Sequence, residues 1–299
     1  MTASKSFDQT QPVAEPPAVA SWVGGNLPSM PARKTVGEYL LLGTVAVLLL
    51  GGVGLVAFVL LGQVLEVPDI GALSLLFVVA YVVVLYLVTF RFPGFRPRYA
   101  LYGWLWGALA CMVLVTAGGD AWARITSSLG WQPVAYSFAG AYPEEIAKGF
   151  GVVILLWLYG RRPWEGMIYG MWVGLGFEVV ENYLYGMSGA LFDVDSDVHG
   201  VLWSWMLRTV AGPGLHVVFV GFVGLGIGEV LLGDKSKWFY VLFGVFGHFV
   251  WNLQWDLFYL SLGAVAVVLY PTFIYLFVSR WKQARADVGR TYMHQYFGA

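Results

Sequence analysis

The chain has 299 residues, of which 59% are hydrophobic and only 12% are charged, and its formal net charge is -1. A soluble domain usually carries about 25% charged residues, so this composition excludes an ordinary soluble globular protein. The single cysteine, Cys111, excludes an internal disulfide, and the near-zero net charge indicates no particular partner.

The chain begins with a polar tail and continues with long apolar runs. Residues 1–34 are rich in Pro, Ala, Ser and Gln and lack the apolar region of a signal peptide, so we expect a disordered tail. A helix of roughly 20 apolar residues crosses about 30 Å of hydrocarbon. We therefore predict an all-α, polytopic membrane helix bundle with about eight transmembrane helices. The predicted spans are 37–62, 70–90, 99–117, 140–160, 165–187, 210–232, 238–256 and 258–279.

Polar stretches divide these spans and set the predicted domain boundaries. Residues 118–139, which contain TSSLGWQP, are predicted to form a re-entrant or interfacial connection, and FDVDSDVHG (192–200) an acidic loop. The membrane domain is predicted to occupy residues 35–280, and residues 281–299 a C-terminal tail.

The distribution of basic residues predicts the orientation of the chain. With a cytoplasmic N-terminus, every lysine and arginine except Arg124, Lys148 and Arg208 lies on the cytoplasmic side. The positive-inside rule then predicts a multi-pass plasma-membrane protein with both termini in the cytoplasm. The basic run RWKQARADVGR near the C-terminus is typical of an anchor to anionic lipid rather than of a nucleic-acid site.

Beyond the first three spans, four segments carry ionisable residues at membrane depth. Such residues are costly in lipid and are therefore functional candidates. The predicted threading brings the four segments to a similar depth in the outer half of the membrane. The candidate site residues are Glu144, Glu145, Glu181, His216, His248 and Asn252.

Four further polar residues near these candidates are expected to play supporting parts. Lys148 lies three and four residues after the two glutamates, which predicts an ion pair on one helix face. Glu178 is expected to be a supporting polar group, and Asn182 an interhelical hydrogen-bonding residue. Arg208, near the outer interface, is expected to extend towards water.

The motifs that carry these residues resemble those of one protease family. EEIAK begins at Glu144, FEVVEN ends at Asn182, His216 follows a Gly-Pro-Gly turn, and HFVWN begins at His248. In this order they resemble the PrsW family of intramembrane proteases, relatives of CAAX prenyl proteases and Abi proteins, over residues 137–256. The resemblance implies hydrolysis of a single-pass membrane protein near the extracytoplasmic face, anti-sigma factors being the best known substrates.

One possible mechanism uses no cofactor. Glu145 or its neighbour Glu144 acts as general base on a water molecule held by His216 or His248. Asn252, with the remaining histidine, donates hydrogen bonds to the oxyanion of the tetrahedral intermediate.

The alternative mechanism uses zinc. Catalytic zinc needs three protein ligands and an open position for water, and Glu181, His216 and His248 supply three ligands of suitable type. Glu145 would then deprotonate the zinc-bound water. The sequence leaves the two mechanisms open.

Two other classes of function also use polar residues in membrane helices. A transporter or proton channel collects intramembrane acids and histidines, but it more often shows paired repeats in both halves of the chain. A non-catalytic membrane scaffold is the third possibility, although it has little use for this set of residues.

Overall fold

The computed structural model describes residues 35–160 and 162–297, together with their side chains except at 63, 117, 258 and 287–297. Within these ranges the regular structure is entirely helical, which confirms the all-α prediction. The predicted tail at 1–34 lies outside the described residues. The helices are α1 (Val36–Glu66), α2 (Pro68–Thr89), α3 (Pro97–Leu105), α4 (Cys111–Ser128), α5 (Tyr142–Tyr159), α6 (Glu165–Phe192), α7 (Asp197–Ala211), α8 (Leu215–Leu232), α9 (Phe239–Trp251) and α10 (Phe258–Phe297).

The chain divides into two units, residues 1–43 and 44–299. In the described part of the first unit, Thr35 and Glu38 form reciprocal hydrogen bonds between side chain and backbone, a capping box that fixes the start of α1. All helices from α2 onward, and the candidate site, belong to the second unit.

In the part of the chain that the structure describes, five helical stretches are long and apolar enough to cross a membrane: Val36–Glu66, Pro68–Thr89, Pro97–Ser128, Asp197–Leu232 and Tyr259–Ala286. These support a multi-pass membrane protein. The helix α5 carries three ionisable residues in its first two turns, and α9 has only 13 residues, about 20 Å of helix. The number of eight crossings therefore stays a prediction.

Several helix boundaries differ from the predicted ones. The third apolar run does not end near residue 117, because the helix continues to Ser128 and leaves only a short connection. The predicted acidic loop at 192–200 is partly wrong, because α7 begins at Asp197, where the Ser196 side chain accepts a hydrogen bond from the His199 backbone. The helix α10 continues beyond the predicted end of the last span at residue 279, as far as Phe297.

Wide π-helical turns interrupt the helices at two places that adjoin α5. The turn Trp106–Ala110 joins α3 to α4, and its first residue donates an indole hydrogen bond to the Ala147 carbonyl at 2.9 Å. The turn Ser137–Ala141 immediately precedes α5, and the Ser137 hydroxyl donates to the Phe249 carbonyl at 2.7 Å. These contacts hold α5 against its neighbours, and the second one joins its N-terminus to α9.

Glycines allow α6 and α8 to pack with their backbones in contact. A Cβ atom added to Gly166, Gly170 or Gly174 would lie 2.1, 2.1 or 2.3 Å from a backbone carbonyl oxygen of α8. The spacing of four residues places the three glycines on one face of α6. Small residues at such an interface permit close approach of membrane helices.

Candidate active site

The structure brings all six predicted site residues together. Glu144 and Glu145 lie in the first turn of α5, Glu181 in α6, His216 in the first turn of α8, and His248 near the end of α9. The sixth is the residue that follows α9, Asn252. Five of them border a cavity of about 610 Å³, namely Glu144, Glu181, His216, His248 and Asn252.

Lys148 lies at the centre of this cluster and is completely buried. Its Nζ atom is 2.8 Å from Glu144 Oε2, 3.1 Å from Glu145 Oε1 and 2.8 Å from His216 Nδ1. An ammonium group has three N–H donors, so these three partners use all of them. The predicted ion pair is therefore present, and it includes a histidine from another helix.

The partners of the two histidines indicate which ring nitrogen carries the proton. Because an ammonium group can only donate, His216 Nδ1 accepts from Lys148, and His216 Nε2 donates to Glu181 Oε2 at 2.9 Å. His248 Nδ1 lies 2.9 Å from Glu145 Oε1 and donates to that carboxylate. His248 Nε2 is then left to accept a hydrogen bond on the side that borders the cavity.

The two adjacent glutamates occupy different environments. Glu144 borders the cavity, and its Oε2 atom is 3.9 Å from both His216 Nδ1 and His248 Nε2. The Glu145 side chain is enclosed between Lys148 and His248, and its Oε2 atom has no hydrogen-bond partner among the described residues. Of these two neighbours, Glu144 is therefore the one positioned to meet a substrate in the cavity.

Arg208 does not simply extend towards water, contrary to the expectation from sequence. It lies in α7, borders the cavity, and binds both Glu181 and Asn182 of α6. Its guanidinium also lies 4.3 Å from the centre of the Tyr185 ring. The arginine thus fixes the position of Glu181, which in turn binds His216.

Glu178 supports the site through the backbone, as expected for a supporting polar group. Its Oε2 atom accepts a hydrogen bond from the His216 backbone N–H at 3.1 Å. Gly214, the residue immediately before α8, has a φ of 65°, which lies in the left-handed region that glycine adopts readily. Together these features fix the start of α8 and with it the His216 side chain.

Asn252 lies on the rim of the cavity, with its amide Nδ2 3.4 Å from His248 Nε2 and 3.5 Å from the Tyr136 carbonyl. Tyr136 and Gln254 also border the cavity, and neither was a candidate from sequence. Both lie in short connections outside the apolar runs, where no periodic pattern singled them out.

One group of three buried residues has the ligand types of a zinc site. Glu144, His216 and His248 place one ligand atom each within 4.8 Å of the others. This set contains Glu144 where the sequence prediction had Glu181, which instead binds Arg208 and His216 Nε2. Lys148 already binds two members of this set, Glu144 and His216.

Comparison with known proteins gives one finding. The family model described as PrsW family intramembrane metalloprotease matches residues 96–279, which is more than half of the chain and includes the whole cluster. No curated protein and no solved structure gives a significant match.

Proposed function

The chain belongs to the PrsW family of intramembrane proteases, and from this membership we propose that it hydrolyses a peptide bond of a membrane-anchored protein in the cavity bordered by Glu144. The observation that carries the proposal is the convergence of a carboxylate, two imidazoles and an amide from three helices on one cavity. Its volume of about 610 Å³ lies within the usual range for binding sites.

We assign the proton transfer of the reaction to Glu144, because its carboxylate borders the cavity while that of Glu145 is enclosed. As Glu144 takes a proton from water, the water oxygen bonds to the peptide carbonyl carbon and the carbonyl oxygen becomes negative. The C–N bond then breaks, and Glu144 passes the proton to the departing nitrogen. The products are a carboxylic acid and an amine, and the glutamate is regenerated.

We propose that His248 orients the attacking water. Its Nε2 atom lies 3.9 Å from Glu144 Oε2, a separation that one water molecule bridges with hydrogen bonds of about 2.8 Å. This water replaces the Asn252 amide on Nε2 and leaves that amide free to donate elsewhere in the cavity.

Glu145 accepts a hydrogen bond from His248 Nδ1–H and so orients the His248 ring. Glu181 accepts a hydrogen bond from His216 Nε2–H and so orients the His216 ring. Both acidic residues are thus positioning residues in this proposal.

Asn252 is proposed to stabilise the oxyanion, because its amide is a donor on the rim of the cavity. We expect Asn252→Ala to lower kcat about 10²–10³-fold with little change in KM, since the lost hydrogen bond forms mainly in the transition state. Gln254→Ala removes another amide from the same rim and is expected to have a much smaller effect. Steady-state kinetics on both variants checks this, and equal losses would argue against a specific donor.

The cut is proposed to lie near the extracytoplasmic face. The site lies at the beginning of α5 and in the second half of α6, where Glu181 is found, and the opposite ends of these helices flank Arg161 and Arg162 in the sequence. The positive-inside rule places such basic residues in the cytoplasm. The proposed substrate is a single-pass membrane protein, for which an anti-sigma factor or similar regulator is the leading class.

The full-length protein, reconstituted in liposomes with a library of single-pass peptides, tests the proposed function. We expect wild-type protein to release fragments whose new termini lie near one membrane border, as read by mass spectrometry. A transporter or channel would instead move solute or protons across the same liposomes without cutting any peptide, and a scaffold would do neither. Absence of cleavage across the library would overturn the proposed function.

A further inference from the structure

The three atoms that would bind a metal surround a position close to the Lys148 ammonium. Glu144 Oε2 is 3.9 Å from both His216 Nδ1 and His248 Nε2. Lys148 Nζ lies 2.8 Å from two of these atoms, Glu144 Oε2 and His216 Nδ1. A cationic group is therefore already bound to two of the three candidate metal ligands.

The hydrogen bond between Lys148 and His216 is incompatible with a metal on the same nitrogen. An imidazole nitrogen has one lone pair, which either accepts a hydrogen bond or binds a metal. Binding of the metal by His216 Nε2 instead is also unfavourable. The imidazole proton would then lie on Nδ1 and face an N–H group of the Lys148 ammonium. This arrangement would also deprive Glu181 of the hydrogen bond from His216 Nε2.

The surroundings of Lys148 hold its ammonium group in place. The side chain has no solvent exposure, two carboxylates lie within 3.1 Å, and the Phe177 ring centre lies 3.8 Å from Nζ. Aromatic faces attract cations, most strongly in sites without water. The ammonium therefore has a complete set of anionic, hydrogen-bonding and aromatic partners. Its departure would take the cationic partner from Glu145, which is not one of the three candidate metal ligands.

We propose that Lys148 is the resident cation of this site, and that its ammonium group takes the position of a divalent metal and excludes zinc. In this role it holds the Glu144 carboxylate beside the cavity and fixes the His216 ring. This inference deepens the proposed function, since it assumes that Glu144 is the reacting carboxylate. Zinc binding is measured without substrate, however, so a failure of the zinc experiment and a failure of cleavage are separate results.

The experiment measures zinc bound to the purified full-length protein and to variants at Lys148. We expect wild-type protein to bind no stoichiometric zinc and to keep its cleavage activity in the presence of a chelator. Lys148→Met is expected to bind about one zinc ion per chain, because the freed Glu144, His216 and His248 form a three-ligand set. Lys148→Arg keeps a cation in place and is expected to bind none.

The double variant Lys148→Met/His248→Ala is the matched control, since it also lacks the lysine but has lost one ligand, and it is expected to bind no zinc. Thermal unfolding in detergent monitors the fold of each protein, and Lys148→Gln replaces Lys148→Met if the latter does not fold. Stoichiometric zinc in wild-type protein would overturn the proposal. So would failure of the folded Met or Gln variant to gain zinc.

Discussion

The variant Glu144→Gln is expected to lower kcat by about 10³-fold while the protein remains folded. Glutamine has nearly the same size and can still accept the hydrogen bond from Lys148, but it cannot take a proton from water. The loss therefore reports proton transfer rather than packing. Steady-state cleavage of a membrane-anchored peptide in liposomes measures kcat, and thermal unfolding in the same detergent or lipid measures stability.

Glu145→Gln provides the matched control, because it makes the same chemical change one residue away. Glu145 is fully enclosed and binds both Lys148 and His248. Glu145 accepts hydrogen bonds from two buried partners, whereas among the described residues Glu144 accepts one from Lys148 alone, so we expect Glu145→Gln to lose more stability than Glu144→Gln does. The kcat of Glu145→Gln should fall less than that of Glu144→Gln, because Glu145 affects the reaction only by orienting His248. An inactive Glu145→Gln beside an active Glu144→Gln would reverse the two assignments.

Gly174→Ala is expected to reduce activity by about 10²-fold or more through the backbone of α8. A Cβ atom at Gly174 would lie 2.3 Å from the His216 carbonyl oxygen and 3.0 Å from the Val217 Cα atom. Neither backbone atom can turn aside, so α6 and α8 must separate at the residue that carries the site imidazole. A misplacement of about 1 Å near the reacting groups can cost 10²-fold in rate.

The control for this prediction is Gly263→Ala in α10, where an added Cβ atom meets nothing within 4 Å. It makes the same change in another apolar helix, and we expect wild-type activity and stability. Gly174→Ala should also lower the thermal midpoint, since overpacking costs about 1–3 kcal/mol. Equal activity in the two variants would show that close packing of α6 on α8 does not position His216.

The convergence of the site was predictable from the sequence, because the polar residues of four apolar segments matched in depth. His248 and Asn252, four residues apart, were expected on one helix face, and the structure places their side chains in contact. Spacing alone did not distinguish Glu144 from Glu145, since both lie within one turn of Lys148. The distinction comes from the packing of α5 against α9, which determines which carboxylate borders the cavity.

The part played by α7 was missed. Asp193, Asp195 and Asp197 made the stretch look like a loop, although Ser196 is a typical N-cap residue and marked the start of a helix. The sequence places Arg208 near the outer interface and offers a pairing with Glu181, but it gives no sign of the contact with Asn182, which requires α7 beside α6. A short helix with a polar first turn carries too weak an apolar signal to be separated from a loop by hydropathy.

The identity of the attacking group is the central claim, and oxygen labelling in a single turnover tests it most directly. Excess enzyme in liposomes prepared in ¹⁸O-water cuts a membrane-anchored peptide once, and mass spectrometry reads the new carboxyl terminus and the Glu144 side chain. If Glu144 activates water, the fragment carries one ¹⁸O atom and Glu144 carries none. An unlabelled fragment accompanied by ¹⁸O in Glu144 would contradict the claim, because the glutamate itself would then have attacked the peptide.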